Sequence, residues 1–166
     1  MAMYIDCYGL TPKRVYATWL MVVLVMVFLV IIAKQFIAKF NAVAASLGVL
    51  AGMFGLLALS NVDGFIVRYN VDRYLEGSLD TVDVFTMAEL GDAAVPELVY
   101  LMEELEARGA SYEASGANKI YERTVRAMED VALDYVNNPR GVMAYNLTYY
   151  KAINSLYDAG LMEKYK

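Results

Sequence analysis

The sequence predicts an all-α fold: a two-span transmembrane helical hairpin followed by a small soluble bundle of four to five helices. Two long uncharged apolar stretches occupy the first 60 residues, and the later apolar residues recur at helical spacing. Charge divides the chain at the same point. Residues 1–60 carry four basic and one acidic side chain, whereas residues 61–166 carry 10 basic and 18 acidic ones. We therefore expect a membrane anchor over residues 1–60 and an acidic helical domain over residues 61–166.

The first apolar stretch, Val15–Ala33, is 19 residues long and carries no charge. At about 1.5 Å per residue, such a helix reaches about 28 Å, close to the ~30 Å hydrocarbon core of a bilayer. Tyr16 and Trp19 lie near one end, as aromatic side chains do at membrane surfaces. The main alternative is a signal peptide, but the apolar region of signal peptides is shorter than this stretch. We expect a transmembrane helix over about residues 15–33.

The second uncharged stretch, Phe40–Val62, predicts a transmembrane helix over about residues 42–60. Small residues recur along one of its faces, at Ala44, Gly48, Gly52 and Gly55. A stripe of this kind lets two membrane helices approach closely. It indicates either self-association or docking on a larger helix bundle, or else packing against the first span. The spacing alone does not choose between them.

Basic residues beside the spans predict the orientation. Four flank the hairpin on the side of the acidic domain, Lys13, Arg14, Arg68 and Arg73, and two lie in the connector, Lys34 and Lys39. Because basic residues collect on the cytoplasmic side, we expect a multi-pass membrane protein whose acidic domain faces the cytoplasm. The single cysteine, Cys7, offers a native thiol for testing this topology.

Composition also narrows the classes of function. The chain has no His and one Cys, which excludes a His-ligated zinc site and a Ser–His or Cys–His dyad within it. No P-loop, GxSxG, CxxC or HExxH motif occurs, so we expect no enzyme activity, cofactor or metal. An acidic domain argues against nucleic-acid binding. The spans hold no ionisable residue, which argues against a transport pathway built from this chain alone.

Helical periodicity and breakers divide the acidic domain into helices. The predicted helices are Asn61–Gly77, about Thr81–Leu90, Asp92–Gly109 with Pro96 in the first turn, about Asn118–Asn137, and about Val142–Ala159. Eleven of the 14 tyrosines lie in this domain. Those near its end predict an interaction face, Tyr145, Asn146, Tyr149, Tyr150 and Tyr157. A tyrosine stripe at helical spacing is also typical of a core face, so both interpretations stay open.

Several segments, in their order and spacing, resemble a known family. They are Tyr8-Gly9-Leu10-Thr11, Arg14-Val15-Tyr16 with Trp19, the elbow Asn61-x-Asp63-x-x-Ile66-x-x-Tyr69-Asn70-x-x-Arg73, Leu79-Asp80, Asp92–Leu98, and Arg140-Gly141-x-x-x-Tyr145-Asn146-Leu147. The chain resembles, over about residues 3–150, the C-terminal part of a family of bacterial polytopic inner-membrane proteins that is known as a domain of unknown function. Its members usually have further spans upstream. The resemblance therefore implies a short member or a C-terminal piece of a longer protein, and it implies location rather than chemistry.

The elbow segment is the most specific of these features. Asn70 and Arg73 lie on one helical face and could bond groups of the following helices, for instance around Asp80 or Asp92. The alternative is that Arg68 and Arg73 contact lipid phosphates.

We expect a membrane-anchored helical interaction or scaffold module. Its expected partners are the lipid bilayer and another membrane or cytoplasmic protein, a second copy of itself included. The alternative is a C-terminal accessory part of a larger polytopic transporter or membrane enzyme.

Overall fold

A computed structural model describes residues 9–37, 41–109, 116–138, 140 and 146–165. Over these residues the fold is all-α, as predicted, with α-helices joined by short turns and without a β-strand. The helices are α1 Pro12–Phe36, α2 Ala42–Leu59, α3 Val62–Leu75, α4 Val84–Ala88, α5 Val95–Ala107, α6 Gly116–Asn137 and α7 Leu147–Asp158. Two 3-10 turns, Gly91–Ala93 and Glu163–Tyr165, complete the order. Cys7, Lys39 and Tyr145, to which the sequence analysis gives roles, lie outside the described residues.

The chain divides into two compact units. The hairpin unit is Leu10–Val62 and consists of α1 packed on α2. The helical unit contains Asp63–Lys166 together with the segment that ends at Gly9. The domain boundary expected from charge, between residues 60 and 61, lies within two residues of the boundary between these units.

Both helices of the hairpin unit are long and apolar enough to cross a membrane. Their best windows have mean hydropathies of 2.8 in α1 and 2.2 in α2, and almost none of their residues is buried. A core helix of a soluble protein would bury such side chains, but Leu20, Phe28 and Phe54 are exposed. The hairpin therefore presents an apolar surface on its outside.

The helical unit buries its apolar stripes around α5. Apolar residues recur at helical spacing along this helix, and the buried ones are Val95, Leu98, Val99, Leu101, Met102 and Leu105. α5 packs against α6 and α7, and α4 packs against α6. The carboxyl ends of α5 and α3 are joined because the Arg108 guanidinium donates a hydrogen bond to the Leu75 carbonyl oxygen, with a nitrogen–oxygen distance of 2.8 Å.

The helix predicted over about Thr81–Leu90 is shorter, since α4 begins only at Val84. Asp83 is its N-cap: a carboxylate oxygen accepts from the Thr86 backbone nitrogen at 3.2 Å, and the Thr86 hydroxyl donates to the other oxygen at 2.6 Å. These hydrogen bonds hold the pKa of Asp83 below its usual value. The cap, rather than the apolar pattern, determines where this helix begins.

The last helix also begins later than predicted, at Leu147 instead of about Val142. Asn146 has an extended backbone, which no α-helix can run through, and its side-chain oxygen accepts from the Tyr149 backbone nitrogen at 2.7 Å. The predicted start was therefore wrong because an N-cap asparagine was placed inside the helix.

Candidate functional site

The two faces of α7 separate the tyrosines that the sequence groups into one interaction face. Tyr149 is only 2% exposed and lies on the buried face with Ala152 and Leu156. Tyr150 is 57% exposed and Tyr157 44% exposed on the opposite face. Helical geometry explains the division, because positions i and i+1 differ by about 100° whereas i and i+7 coincide.

Leu147 extends the exposed face to the first turn of α7, where its side chain is largely exposed. Leu147, Tyr150 and Tyr157 follow the helical spacing i, i+3 and i+10, so they lie in one row, which we call the α7 stripe. Asn146, the remaining described member of the predicted face, is the N-cap of the helix. The α7 stripe is an exposed apolar and aromatic surface on a helix whose other face packs against the core.

Tyr149 belongs to a joint with groups from other parts of the helical unit, in which Tyr135 and Tyr149 are buried, Asp92 is half-buried and Arg140 is exposed. The Tyr135 hydroxyl of α6 donates to one carboxylate oxygen of Asp92 at 2.5 Å, and the Arg140 guanidinium donates to the other at 2.7 Å. The rings of Tyr135 and Tyr149 lie 5.2 Å apart, and the guanidinium carbon of Arg140 lies 4.9 Å from the Tyr149 ring centre. We call these four residues the Asp92 joint.

The Asp92 joint has the chemistry of a structural lock. Burial and the hydrogen bond to Asp92 both raise the pKa of Tyr135, so its hydroxyl stays protonated and donates. The Asp92 carboxylate, which the sequence suggested as a partner for Asn70 or Arg73, is instead bound on both oxygens by Tyr135 and Arg140. The joint therefore holds the 3-10 turn, the end of α6 and the start of α7 together.

The elbow residues lie on α3 and on the residue that precedes it. Ile66 and Asn70 are buried, whereas Asn61 is exposed and Asp63 is half-buried. Arg73 closes the end of the helix: its guanidinium donates to the Ser78 hydroxyl at 3.1 Å and to the Ser78 carbonyl at 3.2 Å. Arg73 thus bonds Ser78 in the turn that follows α3, and not Asp92, whose two carboxylate oxygens are bound by Tyr135 and Arg140.

Gly9 lies against Asn70, so two of the family-like segments meet within the helical unit. A Cβ atom placed on Gly9 would lie 2.5 Å from the Asn70 side-chain oxygen and 3.5 Å from Leu79. Gly9 also has a φ of +74°, which favours glycine. Both requirements explain why a glycine stands beside the buried amide of Asn70.

The outer face of α3 carries a second feature that the elbow pattern only partly predicts. The rings of Phe65 and Tyr69 lie 6.3 Å apart, and the guanidinium carbon of Arg73 lies 5.8 Å from the Tyr69 ring centre. Phe65 is 61% exposed. We call Phe65, Tyr69 and Arg73 the outer row. The spacing i, i+4 and i+8 places these three residues on one face of the helix. The elbow pattern contains Tyr69 and Arg73 but not Phe65, so it predicts only part of the outer row.

The small-residue stripe of α2 faces open space. A Cβ atom at Gly48, Gly52 or Gly55 would meet nothing within 4 Å, and Ala44 is exposed. α2 nevertheless packs on α1, with half-buried residues such as Val49 and Met53. The stripe is therefore not the surface that closes the hairpin.

The described residues hold no group of three or more His, Cys, Asp or Glu side chains placed to bind a metal ion. Asp80 and Asp83, which lie three residues apart, are both exposed, and Asp83 is engaged as a helix cap.

Residues 1–101 match the model of a protein family described as Domain of unknown function (DUF4153). The chain belongs to this family. The predicted resemblance to a domain of unknown function is thus confirmed over residues 1–101, although the segments around Arg140 and Asn146 lie beyond the match. No curated protein and no solved structure matches the chain.

The DUF4153 match covers the hairpin unit, α3, α4 and the first half of α5. The Gly9–Asn70 contact and the outer row lie inside it. The Asp92 joint is divided, since Asp92 lies inside the match and its partners Tyr135, Arg140 and Tyr149 lie outside. The α7 stripe also lies outside the match.

Proposed function

We propose that this chain is a multi-pass protein of the bacterial inner membrane, anchored by the α1–α2 hairpin, and that its helical unit binds another protein rather than catalysing a reaction. The observation that carries the proposal is the α7 stripe, since Leu147, Tyr150 and Tyr157 are exposed while the opposite face is buried. Tyrosine gives a large contact area for little loss of side-chain entropy, which makes it frequent at interaction hot spots.

The anchor is supported by the outward-facing apolar side chains of both hairpin helices. Water would not solvate two such helices of 25 and 18 residues, whereas lipid chains would. The basic residues at the two ends of the hairpin favour a cytoplasmic helical unit.

The test is photo-crosslinking in living cells. A benzophenone amino acid replaces Tyr150 or Tyr157, and the matched control carries it at Tyr100 of α5, which is 44% exposed, the same fraction as Tyr157. We expect the two α7 positions to give one shared adduct that Tyr100 does not give. We also expect Leu147→Asp to abolish it, because a carboxylate would interrupt the apolar surface.

Adducts that are identical at all three positions would contradict the proposal, as would a lack of adducts at both α7 positions. An adduct whose mass is that of two copies of the chain would assign the α7 stripe to self-association.

The second candidate, a subunit or C-terminal part of a larger transporter or membrane enzyme, is favoured by the open stripe of α2. Gly48 and Gly52 leave room for the backbone of another membrane helix. Gly48→Leu would then displace the chain from a larger membrane complex, whereas the matched change Leu47→Ile on the neighbouring exposed position would not. Unchanged sedimentation of both variants would contradict this candidate.

A further inference from the structure

We propose that the outer row of α3, Phe65, Tyr69 and Arg73, lies in the phospholipid headgroup layer and contacts lipid. This inference deepens the proposed function and rests on it, because it requires that the hairpin cross the membrane. The elbow then has two faces: Ile66 and Asn70 are buried in the helical unit, and the outer row contacts the bilayer.

The chemistry of the outer row is that of a membrane interface. Phe65 exposes most of an aromatic ring on a helix whose other face is already buried, and Tyr69 and Arg73 continue the row beside it. Aromatic rings that carry a polar end, and arginine side chains with apolar stems, accumulate at the level of lipid headgroups.

Chain length keeps the row close to the membrane. α2 ends at Leu59 and α3 begins at Val62, so Ser60 and Asn61 alone separate the second hairpin helix from α3. Even a fully extended linker would leave Phe65 within about 15 Å of the end of α2. The linker is not extended, since the Val62 nitrogen donates to the Ser60 carbonyl oxygen at 2.8 Å.

The charges beside the row are mixed, since Arg68 lies near the carboxylates of Asp72 and Glu97. Arg68 is exposed on the same side, and its guanidinium lies 3.8 Å from the Asp72 carboxylate. An exposed ion pair of this length is weak, so the guanidinium can also bind a lipid phosphate. Anionic lipids would add an attraction for both Arg68 and Arg73.

The experiment measures quenching of tryptophan fluorescence by lipids brominated near the headgroup end of their chains. The full chain is placed in vesicles of phosphatidylcholine and phosphatidylglycerol, and Trp19→Phe removes the single native tryptophan. Phe65→Trp in this background then reports on the outer row. The matched control is Phe85→Trp on α4, because Phe85 is a phenylalanine of similar exposure, 52% against 61%.

We expect brominated lipid to remove a large part of the Phe65→Trp emission and to leave the Phe85→Trp emission unchanged. Equal emission of the Phe65→Trp chain with and without bromine overturns the inference, whether the row is then open to water or covered by a protein. Circular dichroism checks that both variants keep their helices. The native chain separates the two proposals: if bromine fails to quench Trp19, the membrane anchor itself is refuted, whereas quenching at Trp19 without quenching at Phe65→Trp refutes only the lipid contact.

Discussion

The hairpin unit and the helical unit are both α-helical and both rich in apolar residues. The hairpin unit exposes these residues on its surface, whereas the helical unit buries them in its core. Leu20 and Phe28 of the hairpin are exposed, whereas Leu98 and Leu101 of the helical unit have no exposed surface. The hairpin has two helices and cannot enclose its side chains, while α5 is surrounded by its neighbours. Apolar content alone therefore does not decide burial; the number of helices that share the surface does.

The largest expected effect follows directly from this difference. Leu98→Ala should lower the free energy of unfolding of the helical unit by about 2–5 kcal/mol, because it leaves a cavity in a filled core. The matched change Leu20→Ala in α1 removes the same atoms from an exposed position and should leave that free energy unchanged. Urea denaturation of the full chain in nanodiscs, followed by near-ultraviolet tyrosine signals, compares the two. Equal losses would mean that the two units do not differ as described.

The Asp92 joint should give the next largest effect, and one that depends on pH. Tyr135→Phe removes the hydroxyl that donates to Asp92 and should destabilise the helical unit by about 1–3 kcal/mol at neutral pH. The folded state raises the pKa of Tyr135 above its usual value of 10.0, so the folded chain holds this proton more tightly than the unfolded chain. The stabilisation is complete below pH 10 and declines as the pH rises above it.

The native chain should therefore lose stability more steeply above pH 10 than Tyr135→Phe does, and the difference between them should shrink. Denaturation midpoints measured on both sides of pH 10 provide the check. A constant difference across this range would show that folding does not raise the pKa of Tyr135.

Replacing Gly9 by alanine should lower the stability of the helical unit by a smaller amount. The same change at Gly77 separates the cost of the backbone conformation from the cost of the close contact with Asn70. Gly9 and Gly77 have nearly the same φ, +74° and +75°, but only Gly9 has a neighbour within 4 Å of an added Cβ atom. Both Gly→Ala changes should cost about 1–2 kcal/mol for the backbone conformation. Gly9→Ala should cost more, because Asn70 must also move. Equal costs, measured by denaturation, would remove the packing role of Gly9.

The smallest effect is expected at a helix cap. Asn146→Ala should lower the stability of the helical unit by about 1 kcal/mol, because its side chain binds the Tyr149 nitrogen at 2.7 Å. Asn41→Ala, which removes the corresponding 3.2 Å bond at the start of α2, should leave the helical unit unaffected. Hydrogen exchange of the Tyr149 amide measures the loss locally. Unchanged protection there would show that the cap contributes nothing.

The helices and their buried stripes were predictable because they depend on local periodicity. The α5 stripe from Val95 to Leu105 is an example. Helix starts were less predictable, since Asp83 and Asn146 act as caps at positions that the pattern alone placed inside a helix. Buried Thr124 also escaped the pattern, because its hydroxyl is satisfied by the Ile120 carbonyl within the same helix.

The candidate site was less predictable than the helices because its contacts join distant residues. Tyr135 lies 43 residues from Asp92, and Arg140 lies 48 residues from it. Gly9 and Asn70 are further apart still. Neighbouring residues were also difficult to assign. Tyr149 and Tyr150 are adjacent in the sequence, and only the position of the core decides that Tyr149 is buried and Tyr150 is exposed. Spacing on one helix determines which residues share a face, but not which face is covered.

The central claim is that the two hairpin helices cross the membrane and place the helical unit in the cytoplasm. A cysteine introduced as Gln35→Cys at the end of α1, or as Glu103→Cys on α5, tests it in a chain whose native thiol is removed by Cys7→Ser. Both positions are exposed. In intact cells an impermeant maleimide should label Gln35→Cys at once and Glu103→Cys only after permeabilisation. Labelling of both in intact cells, or of neither, would show that the hairpin does not cross the membrane, and labelling of Glu103→Cys alone would contradict the cytoplasmic orientation.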